Sequence, residues 1–193
     1  MNVAPVVPQV VLALALSAVV GGQAPGPVAT VPAVALDRYV GLWFEVARFD
    51  NRFQRQCAGD VRATYTRRPD GRIEVLNTCR TRDGGTTSAR GEARVVDAAT
   101  NAKLKVRFAP AWLSFLPMVW GDYWIAGLAP DYSWAVVGAP DRNYLWILAR
   151  APQLDDESNA AARSAARASG YDVERLVPTP HLEPGLEAES DRQ

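Results

Sequence analysis

The sequence contains a single histidine, His181, and two cysteines, Cys57 and Cys79, in 193 residues. One histidine near the C-terminus leaves Ser–His–Asp and Cys–His arrangements without their base. No His/Cys cluster has the spacing of a zinc site, and no glycine-rich phosphate loop occurs. Net charge is missing as well, because 21 Lys and Arg balance 21 Asp and Glu. A balanced chain lacks the basic face that nucleic acid demands. It also lacks a strong electrostatic hold on an anionic membrane. Long apolar runs are absent too: "VVLALALSAVV" (10–20) falls short of the roughly 20 residues that span a bilayer.

Residues 1–35 carry no charged side chain. The apolar stretch followed by Gly21, Gly22, Gln23 and Ala24 fits the core of an export signal over 1–24, although no Lys or Arg precedes it. Residues 25–35 then read as a linker. No cysteine follows the apolar stretch, so the expected destination is the periplasm or cell envelope without a lipid anchor. In an oxidising compartment, Cys57 and Cys79 are expected to form a disulfide. Two separate buried thiols are the alternative.

What the chain does have is alternation with period two. In "VRATYTRRPDGRIEVLNTC" (61–79), Val61, Ala63 and Tyr65 oppose Arg62, Thr64 and Thr66. Pro69, Asp70 and Gly71 make the turn. Ile73, Val75, Asn77 and Cys79 then share a face on the return strand. "ARGEARVV" (89–96) sends Gly91, Ala93 and Val95 inward, and "KLKVRF" (103–108) sends Leu104, Val106 and Phe108 inward. After a proline-broken loop, "DYWIAGL", "WAVVGA" and "YLWILAR" supply three more strands. With the opening segment "YVGLWFEVARF" (39–49) the chain shows eight strands with short connections. "PQLDDESNAAARSAARASG" (152–170) is a helix, with acids at its start and Gly170 at its end. The polar, proline-rich stretch 178–193 is expected to lack structure. The fold class is therefore all-β, in one domain over 36–177. Eight sequential antiparallel strands with one apolar face suit a closed barrel, with a sandwich as the alternative.

Three short motifs narrow this. Gly41 and Trp43 on the first strand, Asp131 and Tyr132 before the seventh, and Arg150 ending the eighth resemble the three motifs of the lipocalin family. The segments "LWFEVARFDNRF", "GDYWIAGLAPDY" and "DRNYLWILAR" are similar to the branch holding bacterial outer-membrane lipocalins, apolipoprotein D and plant temperature-induced lipocalins. The resemblance implies an eight-stranded up-and-down antiparallel barrel with a C-terminal α-helix packed outside. In such a barrel all three motifs fall at one end, and the family pattern puts Arg150 over the ring of Trp43. These five residues then form a floor rather than a ligand site.

The opposite end is the mouth. Its rim carries Phe53 in the first loop and Trp112, Phe115 and Met118 in the loop over 109–119. An apolar cluster of that size suits a ligand gate or a peripheral membrane contact. A loop folded back on the barrel and a homodimer interface are the alternatives. Candidate ligand contacts are Ala63, Tyr65, Val75, Asn77, Ala93, Val95, Val106, Phe108, Tyr123 and Trp146, each of which simple core packing would explain as well. Tyr123 is chosen over Asp122 because a buried, unpaired carboxylate is costly. The first strand stays ambiguous, since either face carries a charge, Glu45 or Arg48.

An apolar cup with a few polar groups suits a ligand with a long tail and a small head. The resemblance implies a carrier of fatty acids or lysophospholipids, with no cofactor and no nucleic-acid partner. Two other classes stand against this one. The first is a filled barrel that docks on a membrane or partner. The second is an enzyme using Cys79 on the inward face, which a Cys57–Cys79 disulfide would disarm.

Overall fold

A computed structural model describes residues 26–110 and 113–182. A short helix, α1 (Leu36–Tyr39), leads into β1 (Gly41–Phe49). The strands β2 (Cys57–Arg67), β3 (Ile73–Thr81), β4 (Thr86–Val95), β5 (Lys103–Arg107), β6 (Gly121–Leu128), β7 (Trp134–Gly138) and β8 (Leu145–Ala149) follow. Each pairs antiparallel with the next, and β1 pairs with both β8 and β2, so the sheet closes into a barrel. Then come α2 (Asp156–Ala168) and a ninth strand, β9 (Leu176–Pro178).

Alternation explains which side chains fill the barrel. Trp43, Tyr65, Ile73, Val75, Leu104, Ile125, Val137 and Leu148 form one buried cluster inside it. On the outer face, Phe49, Val136, Leu145 and Ile147 form a second cluster with Ala162 and Ala166 of α2. Helix α2 starts at Asp155, whose side chain accepts from the Ser158 amide, and ends near Gly170 at φ +83°. Small residues let it sit close: a Cβ on Gly127 would stand 2.8 Å from that of Ala165.

The two ends of the domain differ from expectation. Residues 26–35 are no free linker: Val28 and Val34 are buried, and the amides of Val31 and Val34 donate to the carbonyls of Ile125 and Thr100. The expected unstructured tail is ordered as far as Leu182. Residues 176–178 pair with Ala47, Arg48 and Phe49, while the Asp60 amide donates to the Pro180 carbonyl. This segment fills the gap where β1 and β2 part, since their ladder stops at Phe44 and Arg62. Prolines are tolerated there because one side of the segment needs few amide donors. The expected export signal, Trp112 and residues 183–193 lie outside the described residues. Among those described, no helix is long and apolar enough to cross a membrane.

Cys57 and Cys79 form a disulfide with Cα atoms 5.6 Å apart, joining the start of β2 to the end of β3. The bond takes away the thiolate that chemistry through Cys79 would use.

Candidate functional site

The floor assembles from three connections that fall at one end of the barrel. Gly41 adopts φ +102°, a left-handed conformation open to glycine, and its Cβ position lies 3.3 Å from the Arg150 guanidinium. Trp43 is fully buried, donates Nε1–H to the Tyr39 carbonyl at 2.7 Å, and carries Arg150 3.8 Å over its ring. Arg150 also donates to the carbonyls of Leu42, Arg38, Tyr39 and Val40. Tyr132, at φ +66°, accepts from the Ala35 amide and lies under Arg38. Asp131 accepts from the amide and hydroxyl of Ser133, which shapes the turn. All five motif residues are engaged in closing this end.

Just above, three tyrosine hydroxyls form a chain. Tyr39 and Tyr123 are 2.8 Å apart, and Tyr123 donates to Tyr65 at 3.0 Å. Tyr123 has one proton and gives it to Tyr65, so Tyr39 donates to Tyr123 and the Tyr65 proton stands at the end of the chain. Burial pushes Tyr65 up to about 12 and the other two well above the usual tyrosine range. The chain therefore stays neutral and keeps a donor.

Around these hydroxyls the interior is packed. Tyr65, Val75 and Ala93 are buried there, and Val95 packs against the same cluster from a partly buried position. Ala63, Asn77, Val106, Tyr123 and Trp146 are also only partly buried; Ala63 stands opposite Trp43 in the β1–β2 ladder, and Asn77 stands opposite Ala63. Asp122 points the other way and pairs with Lys105 at 2.9 Å. Phe108 is the exception among the inward candidates. It stands past the end of β5, 43% exposed, against Gly91 and beside Arg90 and Arg107 in an outer cleft. The β5 ladder ends at Arg107, so the alternation that aims Val106 inward no longer governs Phe108.

Both charged residues of β1 turn inward, and an irregularity explains how. The β1–β8 register shifts between Glu45 and Ala47, so Glu45 faces Leu148 and Arg48 faces Trp146. A bulge adds one residue and resets which side chains share a face. Glu45 is buried and accepts from Gln54 Nε2 and from Thr179 Oγ1, each at 2.6 Å. Gln54 in turn accepts from Trp146 Nε1 at 3.1 Å, so the first loop folds into the mouth. His181 Nε2 lies 2.8 Å from the Glu45 carbonyl. Neither Gln54 nor the 179–181 segment was among the sequence candidates. A polar residue in a loop and a proline-rich tail carry no alternation to reveal them.

Burial pushes the Glu45 carboxyl up, with the Thr179 and Gln54 bonds and Arg48 opposing it. A raised carboxyl holds its proton better folded than unfolded. Stability therefore falls as pH rises from the ordinary 4.5 through the folded value, then levels. Glu45→Gln should flatten that decline, read as the urea midpoint across this pH range. An unchanged slope would assign it elsewhere.

At the rim, Phe115 is 75% and Met118 85% exposed, while Phe53 is exposed and packs near Tyr144. Trp120 is buried, with Arg94 4.3 Å over its ring, and anchors this loop by donating to the Ser114 carbonyl.

A family model described as "Lipocalin-like domain" matches residues 34–181. Temperature-induced lipocalin-1 of Arabidopsis thaliana is 41% identical over 152 residues, covering 78% of this chain and 81% of that protein. Outer membrane lipoprotein Blc of Escherichia coli is 37% identical over 174 residues, covering 88% and 94%. Among solved structures, insecticyanin of Manduca sexta superposes with a TM-score of 0.63 at 20% identity, over 84% of this chain and 88% of that one. At that identity the superposition speaks to the barrel alone.

Proposed function

We propose that this chain, which belongs to the lipocalin family, binds and carries a small hydrophobic ligand, and that the ligand is a fatty acid or lysophospholipid. The observation that carries this reading is the graded interior. Below, side chains and the Trp43 floor close the barrel. Against that packed cluster Ala63, Val106 and Trp146 are only partly buried, and Asn77, paired opposite Ala63, keeps a buried Oδ1 without a partner. A tail laid on that surface gains about 0.8 kcal/mol for each CH₂ removed from water. Tyr123 belongs to the same contact set, whereas Tyr65, Val75 and Ala93 act as the packed base beneath it. We place the protein in the exported envelope compartment. Phe53, Phe115 and Met118 suit a rim that touches a membrane surface while ligand passes, since exposed aromatic and thioether groups favour the headgroup boundary.

Native mass spectrometry of the full chain, followed by organic extraction, tests the reading. The expected result is a co-purifying single-tailed lipid, lost when Val106→Trp fills the interior. Near-UV circular dichroism checks that the variant keeps its packing. A chain that elutes without lipid and ignores added lipid would overturn it, and self-association through the rim would then become the leading account.

A further inference from the structure

We infer that Arg48 is an anion site in the barrel wall, built to hold the carboxylate or phosphate of the carried ligand. The inference deepens the carrier reading and rests on it. Arg48 lies within the sheet, opposite Trp146, with its side chain 14% exposed. Its Nε is buried without a partner. Among the described residues its one charged neighbour is Glu45, at 3.6 Å, beyond hydrogen-bond reach.

Glu45 does not turn to close that distance because Gln54 and Thr179 already hold its two oxygens. A guanidinium carries donors in a planar fork that matches two oxygens of one anion. Leaving the buried Nε–H unbonded is costly, and a ligand oxyanion removes the cost.

The surroundings point to the same chemistry. Arg48 lines a cleft of about 160 Å³ with Val61, Gly59 and the segment 177–180. This is the place where β1 and β2 separate and the C-terminal segment inserts. The cleft offers room for a headgroup. Trp146, paired opposite Arg48, begins the apolar surface on which a tail would continue. Arg107, which is 4% exposed, also has an Nε without a partner, but its terminal nitrogens are already committed to Glu92 and to the Ala109 carbonyl. The arrangement therefore favours a monoanionic or phosphorylated single-tailed lipid over a neutral one.

Calorimetric titration of the full chain with dodecanoate, its methyl ester and inorganic phosphate tests this. Dodecanoate should bind about tenfold to a hundredfold more tightly than the ester. Arg48→Gln should bring dodecanoate down to the level of the ester and leave the ester unchanged. Arg48→Lys should recover part of the difference, because it restores charge without the fork. Equal binding of acid and ester by the unaltered chain would overturn the anion site and leave the carrier reading standing. Equal loss of both in Arg48→Gln, with near-UV dichroism altered in both variants, would make Arg48 a packing residue and overturn it too. Phosphate binding that depends on Arg48, with neither lipid bound, would keep the anion site and overturn the lipid carrier.

Discussion

Replacing Trp43 with alanine should destabilise the fold by about 4 kcal/mol, a loss of roughly 8–16 °C in Tm for a domain of this size. The ring is fully buried at the floor, and its removal leaves a cavity where several elements meet. The loss has two further parts. The Nε1–H bond to the Tyr39 carbonyl disappears, and Arg150 loses the ring it covers at 3.8 Å. Arg150 itself ties four carbonyls between α1 and β1, so it remains anchored and its own removal should be separately costly. A double-mutant cycle with Arg150→Ala isolates the ring–cation contact, expected at about 0.5–2 kcal/mol. Urea and thermal unfolding followed by circular dichroism measure both. A loss under about 1 kcal/mol for Trp43→Ala would mean that the floor does not depend on its plug.

Removing the disulfide should cost about 3 kcal/mol. The bridge spans a sequence separation of 22, and closing a loop of that length restricts the unfolded chain by about that amount. The Cys57→Ala, Cys79→Ala double variant avoids free thiols and isolates the effect. The expected readout is a lower urea midpoint with a steeper slope, since the unfolded chain without its bridge exposes more surface. The bridge also lines the cleft beside Arg48 through Cys57, so the same variant should bind dodecanoate more weakly than the native chain. A stable double variant with full affinity would show that the ladder between β2 and β3 holds the wall unaided.

Much of this molecule could be read from residue alternation and from three motifs. Lys103, Lys105 and Arg107 against Leu104 and Val106 identify a half-buried strand without any tertiary knowledge. Gly41, Trp43 and Arg150 point to the floor through their resemblance to the lipocalin motifs, and in the fold the cation covers the ring beside the missing side chain. The site was less legible, for reasons of register and distance. Parity assumes an unbroken ladder, and the bulge between Glu45 and Ala47 breaks it, which is how two charges of opposite presumed facing both look inward. Phe108 fails for the related reason that parity has no force beyond the last paired residue. The role of 179–182 was hidden because a polar, proline-rich composition by itself reads as unstructured. Their order comes from a gap in the wall that exists only once the barrel has closed.

That late arrival bears on how the chain is made. Glu45 on the first strand receives its hydroxyl partner from Thr179, 134 residues later in sequence. On a ribosome, β1 and β2 emerge early, yet the strip that seals the seam between them follows every other strand and α2. Until then the seam stays unzipped, with a buried-to-be carboxylate and its arginine still in water. Contacts this distant in sequence slow folding, because the ends of a long loop must meet before they are rewarded. Sealing this seam is thus a late step of folding, and a chain whose β9 segment is held away keeps that wall of the barrel open.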